Sequence, residues 1–233
     1  EYRVKISTDN YKSVINGMNA EEFPVMPSVE KGTTWNIAGH ILKQGLQQVV
    51  FAASNDDSRP VLTGVYFHTF EGMLYVAATD SYRLAERALI ETETEVKVLM
   101  PASAVHDVLR IIADYSGEVS ITHDDQQIRF QAGDVELVAR LIEGNYPDYR
   151  KLLPASFTTT ATMPRAELTN IVKLTNLFAR ESAGSIILSV DEASESIWVR
   201  AVASQLGENN ATAKVEAVGS GSIVISDKTD AGD

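Results

Sequence analysis

A repeat restricts this chain's fold more than any other feature. Leu99-Met100-Pro101-Ala102 and Thr162-Met163-Pro164-Arg165 each open a helical pattern, 63 residues apart. Val105, Leu109 and Ile112 of the first recur as Leu168, Val172 and Thr175 of the second. One further step back lie Leu42, Leu46 and Val49. The i, i+4, i+7 stripe marks three amphipathic helices, each with one buried face. Proline at the start of the second and third fits a first helical position, where its missing N–H would have had no partner. An alternating strand precedes each helix: 34–38, 95–99 and 158–163. Three more follow each: 62–68, 73–79 and 83–90; 118–122, 126–130 and 136–142; 185–190, 196–202 and 211–218. His123-Asp124-Asp125 and Gln131-Ala132-Gly133-Asp134 are turn signals between them. The unit is strand, helix, three strands. One helix cannot cover four strands, so paired units per domain are expected.

On that logic residues 1–31 are the closing strands of one domain, 32–154 form a complete one, and 155–233 form an incomplete third. The last strands are expected to end near Ile225, with a patternless polar stretch after it. The chain does not begin with Met and reads as a piece of a longer one.

Composition removes several function classes. Cysteine is absent, which excludes disulfides and thiolate chemistry and fits a reducing cytoplasm. The four histidines lack helical ligand spacing, so no metal site and no cofactor is expected. Apolar runs such as 49–53 fall far short of the ~20 residues of a membrane span, so no membrane partner is expected. With 20 basic against 32 acidic residues the net charge is −12. That favours protein partners over nucleic acid, although a local basic surface still acts within a Debye length of roughly 8–10 Å.

Four segments carry a family resemblance: Glu21-Glu22-Phe23-Pro24, Arg59-Pro60-Val61-Leu62-Thr63-Gly64-Val65, Ala78-Thr79-Asp80-Ser81-Tyr82-Arg83-Leu84-Ala85, and Gly144-Asn145-Tyr146-Pro147-Asp148-Tyr149-Arg150-Lys151-Leu152-Leu153-Pro154. In order and spacing they resemble the bacterial DNA polymerase III beta subunit family, the sliding clamps. The resemblance implies an α+β DNA-clamp fold of repeated βαβββ units, helices on one inner face and antiparallel sheets outside. It implies a head-to-tail homodimer ring around duplex DNA, held without sequence preference. Polymerase and clamp-loader subunits would bind by a short linear peptide in a groove between domains two and three. The family's final helix, strands and C-terminal tail are not recognisable after Ile225.

Carried over by motif, the groove wall is Leu62, Thr79, Ser81, Tyr82, Arg83 and Leu84, closed by Pro147, Lys151 and Leu152. The leucines offer apolar anchorage, Pro147 a rigid wall, and Arg83 and Lys151 bonds to peptide carbonyls or an acidic residue. Spacing alone reads Leu62, Leu84 and Leu152 as ordinary core residues; the three motifs together favour the groove. Many clamps have Gly-His where this chain has Ser81-Tyr82, which reshapes that side of the groove.

A sliding surface needs phosphate contacts without base readout. The three helical segments together carry +2 within a chain of −12, so acid lies outside them. The DNA-facing candidates are Lys43, Gln44, Gln47 and Gln48 on the first helix, Asn55 and Arg59 in the loop after it, Arg110 on the second helix, and Lys173 and Arg180 on the third.

No catalytic residue is expected. Asp56-Asp57 and Asp124-Asp125 are adjacent acids that do not converge as a dyad. There is no GxxxxGK[ST] or GxGxxG motif, and Gly219-Ser220-Gly221-Ser222 reads as a turn. The function implied is that of a non-catalytic processivity factor. The alternative is an acidic peptide-binding adaptor of the same fold that does not encircle DNA.

Overall fold

Period-two alternation builds strands and the leucine stripes build helices, in the order read from the sequence. The computed structural model describes residues 2–23, 29, 32–179, 184–203 and 207–225. Pro24 of the first motif, Arg180 and the tail after Ile225 lie outside the described residues. The chain divides into two compact units, Glu1–Pro147 and Asp148–Asp233.

The first unit opens with an exposed hairpin, β1 (Arg3–Thr8) against β2 (Tyr11–Asn16). Then come β3 (Thr33–Ala38), α1 (Gly39–Val49), β4 (Gly64–Phe70), β5 (Met73–Thr79) and β6 (Leu84–Glu91). The same order recurs as β7 (Lys97–Pro101), α2 (Ala102–Ile111), β8 (Glu118–His123), β9 (Gln127–Ala132) and β10 (Val135–Arg140). Two antiparallel four-stranded sheets result, ordered β6-β5-β4-β7 and β10-β9-β8-β3. The opening strand of each half therefore completes the other half's sheet. The helix starts are reciprocal too: Gly39 N–H donates to Gly117 C=O (2.9 Å) and Ala102 N–H to Thr63 C=O (3.1 Å). Each bond crosses to the other half and satisfies a donor that the helix start leaves free. Pro101 ends β7 and caps α2 from outside, rather than occupying the first helical position. Its φ of −55° and ψ of 137° still suit the ring.

The repeat stripes supply the core. Leu42, Leu46, Val49, Val105 and Ile112 are all buried, joined by Phe67, Leu74, Val76, Ile121 and Ile128 from the sheets. α1 packs on β5, β6 and α2.

Gly64 marks how tightly the exchanged strand fits. A β-carbon there would sit 2.8 Å from Leu99 Cδ1 and Ile142 Cδ1 and 2.9 Å from the Met100 carbonyl. The carbonyl cannot rotate away. Gly64→Ala is expected to destabilise the chain by ~1–3 kcal/mol through overpacking. A urea midpoint indistinguishable from wild type would refute this account of the strand exchange.

The second unit carries β11 (Thr160–Thr162), α3 (Arg165–Ala179), β12 (Ile186–Asp191), β13 (Ser196–Ala203), β14 (Gly207–Lys214), β15 (Glu216–Val218) and β16 (Gly221–Ile225). Its sheet is ordered β14-β13-β12-β16, so β16 takes the position on β12 that β7 takes on β4. The single strand expected over 211–218 is two. Val215 leaves the ladder to bond the Glu195 carbonyl (3.0 Å), and β15 pairs instead with β11. β15 must stop at Gly219, whose φ is +75° and whose β-carbon would meet the Thr158 carbonyl at 2.1 Å. α3 buries Thr175, which donates to Asn209 Oδ1 (3.0 Å), where the other two helices bury apolar side chains. Its stripe residues Leu168 and Val172 are only half-buried.

Candidate peptide site

Three of the motifs, distant in sequence, meet in the first unit. The turn between β5 and β6 is Thr79-Asp80-Ser81-Tyr82-Arg83. An Asx turn forms because Asp80 Oδ1 accepts from the N–H groups of both Tyr82 and Arg83, each at 3.0 Å. Asp80 Oδ2 accepts from Arg83 Nε at 3.1 Å. Thr79 Oγ1 donates to the Arg83 carbonyl (2.6 Å) and accepts from Ser81 N–H (3.2 Å). Ser81 sits at φ +78°, left-handed backbone that non-glycine residues adopt at a cost. Burial pushes the Asp80 carboxyl up. The two backbone N–H bonds and the Arg83 charge outweigh it and hold the group below its ordinary value.

The loop after α1 closes on this turn. Ser54 N–H donates to Leu62 C=O (2.8 Å), and Asp56 turns inward on the loop, its Oδ1 accepting from Ser58 N–H (2.9 Å) and its Oδ2 from Ser58 Oγ (2.8 Å). Arg59 Nη1 donates to Ser81 Oγ at 3.2 Å, so a residue expected on DNA lies against the turn. Arg83 has its guanidinium carbon 5.6 Å from the centre of the Phe51 ring.

The third motif contributes Gly144 and Tyr146. Gly144 has φ +135°, and a β-carbon there would meet Val61 Cγ1 at 2.7 Å. Tyr146 stacks on Tyr66 (4.7 Å between centroids, 20° between planes), continuing a ladder through His68 to Tyr75. Burial raises the Tyr146 phenol from its ordinary 10.0 to about 12, and a contact with the Thr79 backbone pulls the other way. The native state thus keeps this proton after the unfolded chain has lost it. The resulting stability is complete below the unfolded value and falls as pH climbs from 10.0 to about 12. Urea midpoints at about pH 9 and about pH 11 should differ more for wild type than for Tyr146→Phe. Equal losses would contradict the burial of the phenol.

The expected groove residues differ in exposure. Leu62 is 5% exposed, Thr79 and Leu84 are half-buried, and Tyr82 is 72% exposed. Ser81, Arg83 and Pro147 are exposed. Within the second unit, Lys151 pairs with Asp148 (2.8 Å), which raises its ammonium pKa, and Leu152 is 79% exposed. Asp80 and Phe51 had no role in the sequence reading. Asp followed by a Ser-Tyr-Arg turn carried an Asx signal that could have found the first; a lone aromatic after a helix carried none.

The DNA-facing candidates are dispersed. Gln44, Gln47, Gln48, Asn55 and Lys173 are exposed. Lys43 Nζ donates to the Ala113 carbonyl beyond the end of α2. Arg110 is highly exposed but pairs with Asp107 at 3.1 Å. Among the described residues no group of three or more acidic or histidine side chains could hold a metal, and no helix is long and apolar enough to cross a membrane.

Residues 36–148 match the family model described as DNA polymerase III beta subunit, central domain. A beta sliding clamp of Staphylococcus aureus is 30% identical over 189 residues, 80% of this chain and 50% of that protein. One from Staphylococcus epidermidis is 27% identical over 228 residues, 97% of this chain and 60% of that protein. The solved DNA polymerase sliding clamp of Bacillus subtilis superposes with a TM-score of 0.86 at 29% identity, over 97% of this chain and 60% of that one. The DNA polymerase III beta subunit of Thermotoga maritima gives 0.80 at 26%, over 96% and 61%. The chain thus spans half to three-fifths of the length of these relatives.

Proposed function

Given that the chain belongs, as a partial member, to the bacterial DNA polymerase III beta subunit family, we propose that it works as part of a sliding clamp, a non-catalytic processivity factor. The observation that carries this is the mutual approach of the three motifs: Arg59 bonds Ser81, Gly144 lies close against Val61, and Tyr146 contacts the Thr79 backbone. In this reading residues 1–31, 32–154 and 155–233 are the tail of one clamp domain, a complete second, and part of a third. Polymerase and clamp-loader subunits dock a short linear peptide on Leu62, Thr79, Ser81, Tyr82, Arg83 and Leu84, with Pro147, Lys151 and Leu152 closing the site. The whole protein closes head to tail with a second copy into a ring around duplex DNA. Phosphates meet Lys43, Arg110, Lys173 and Arg180, together with Gln44, Gln47, Gln48, Asn55 and Arg59, and contact without base readout permits sliding.

A second reading, the acidic peptide-binding adaptor, is favoured by one observation: Lys43 and Arg110 are both already engaged within the fold. Retention on closed circular duplex DNA separates the two. In the full-length protein, Lys43→Ala with Arg110→Ala is expected to shorten retention and to leave peptide affinity unchanged. Unaltered retention would remove the phosphate role of α1 and α2, and absence of retention by the wild-type full-length protein would favour the adaptor.

A further inference from the structure

Ser81, Tyr82 and Arg83 of the β5–β6 turn are exposed, yet the turn's backbone is strongly determined. Asp80 is the reason. Its side chain is only 17% exposed, although the three residues that follow it, Ser81, Tyr82 and Arg83, are exposed. One carboxylate makes three bonds: Oδ1 to the Tyr82 and Arg83 N–H groups, Oδ2 to Arg83 Nε. The first two hold the backbone in a shape that includes the strained Ser81. The third orients the Arg83 guanidinium, which then lies near the Phe51 ring at 5.6 Å with its side chain 56% exposed. An arginine on an exposed turn ordinarily loses much side-chain entropy when it binds. Arg83, held from below by Asp80 and bordered by Phe51, has lost much of it already.

We propose that Asp80 is a positioning residue of the peptide site: it presents Tyr82 and Arg83 to the ligand in a preorganised turn without touching the ligand itself. This rests on the peptide-site reading above. It makes Arg83's contribution to binding conditional on Asp80. Asp80→Ala removes all three bonds. Asp80→Asn keeps an oxygen acceptor for the two backbone N–H groups and removes the charge that holds Arg83. The two substitutions therefore separate turn shape from guanidinium placement.

The test is a fluorescence-anisotropy titration of this chain with a labelled peptide bearing glutamine near one end and Leu-Phe near the other. Wild type, Asp80→Asn, Asp80→Ala, Arg83→Ala and the two Asp80/Arg83 double variants are compared, with melting temperature measured alongside. Asp80→Ala is expected to weaken binding about tenfold and Asp80→Asn by about threefold. Adding Arg83→Ala to either should cost less than it does in wild type, because the mispositioned guanidinium already contributes little. A purely structural role would lower the melting temperature while the effects of Asp80 and Arg83 on affinity simply multiply. That multiplication in the Asn background, or an Asp80→Ala affinity within about twofold of wild type, overturns the inference and leaves the peptide site standing. Absence of binding by wild type overturns the peptide site and the inference with it.

Discussion

Phe67→Ala is expected to remove ~3–5 kcal/mol of stability, a large share of the ~5–15 kcal/mol that holds a domain folded. Phe67 is fully buried on β4, the strand that joins β5 to the exchanged strand β7. Its ring lies 6.2 Å from that of Trp35, tilted by 49°. Trp35 belongs to β3, a strand of the other sheet. Truncating Phe67 opens a cavity between the two sheets, and neither can collapse into it without shifting a strand shared with the other half. Urea denaturation followed by tryptophan fluorescence reads the loss. Val14→Ala on the exposed hairpin is the control, expected within about 0.5 kcal/mol of wild type. A Phe67→Ala loss below about 1 kcal/mol would contradict a single core built from both halves.

The second large effect falls on binding. Leu152→Ala is expected to weaken peptide affinity by ~1–3 kcal/mol with an unchanged melting temperature. At 79% exposure the side chain has little to contribute to folding, so any loss of affinity reports contact with the ligand. Leu62 is a poorer probe. It is 5% exposed, and its truncation carries a folding cost of ~2–5 kcal/mol that obscures binding. Isothermal titration with both variants, each checked by thermal melting, distinguishes the two. Affinity unchanged in Leu152→Ala would remove that residue from the site.

Much of the fold could be read in the sequence because period and stripe are local signals. Leu42, Leu46 and Val49, and their counterparts Val105 and Ile112, are buried as their spacing implies. What periodicity does not carry is the partner. Alternation in Thr33–Ala38 and Lys97–Pro101 reveals a buried face, yet not that each strand joins the other half's sheet. The break at Val215 was hidden for the same reason: its N–H turns to Glu195, a choice made by tertiary geometry. In the site, the motifs were legible and their mutual contacts were not. Arg59 was expected on DNA, and its bond to Ser81 depends on how the 54–62 loop closes. At Asp80 the Asx-turn signal was legible, whereas the placement of the Arg83 guanidinium between Asp80 and Phe51 was not, because Phe51 comes from a distant part of the chain.

The most direct measurement is the titration of the wild-type chain with the glutamine/Leu-Phe peptide. A clamp piece with a formed site predicts saturable one-to-one binding in the micromolar range, competed by the unlabelled peptide. A flat titration, from a chain whose mass and melting transition show it intact and folded, would contradict the claim that Thr79–Arg83 and its neighbours form a peptide site.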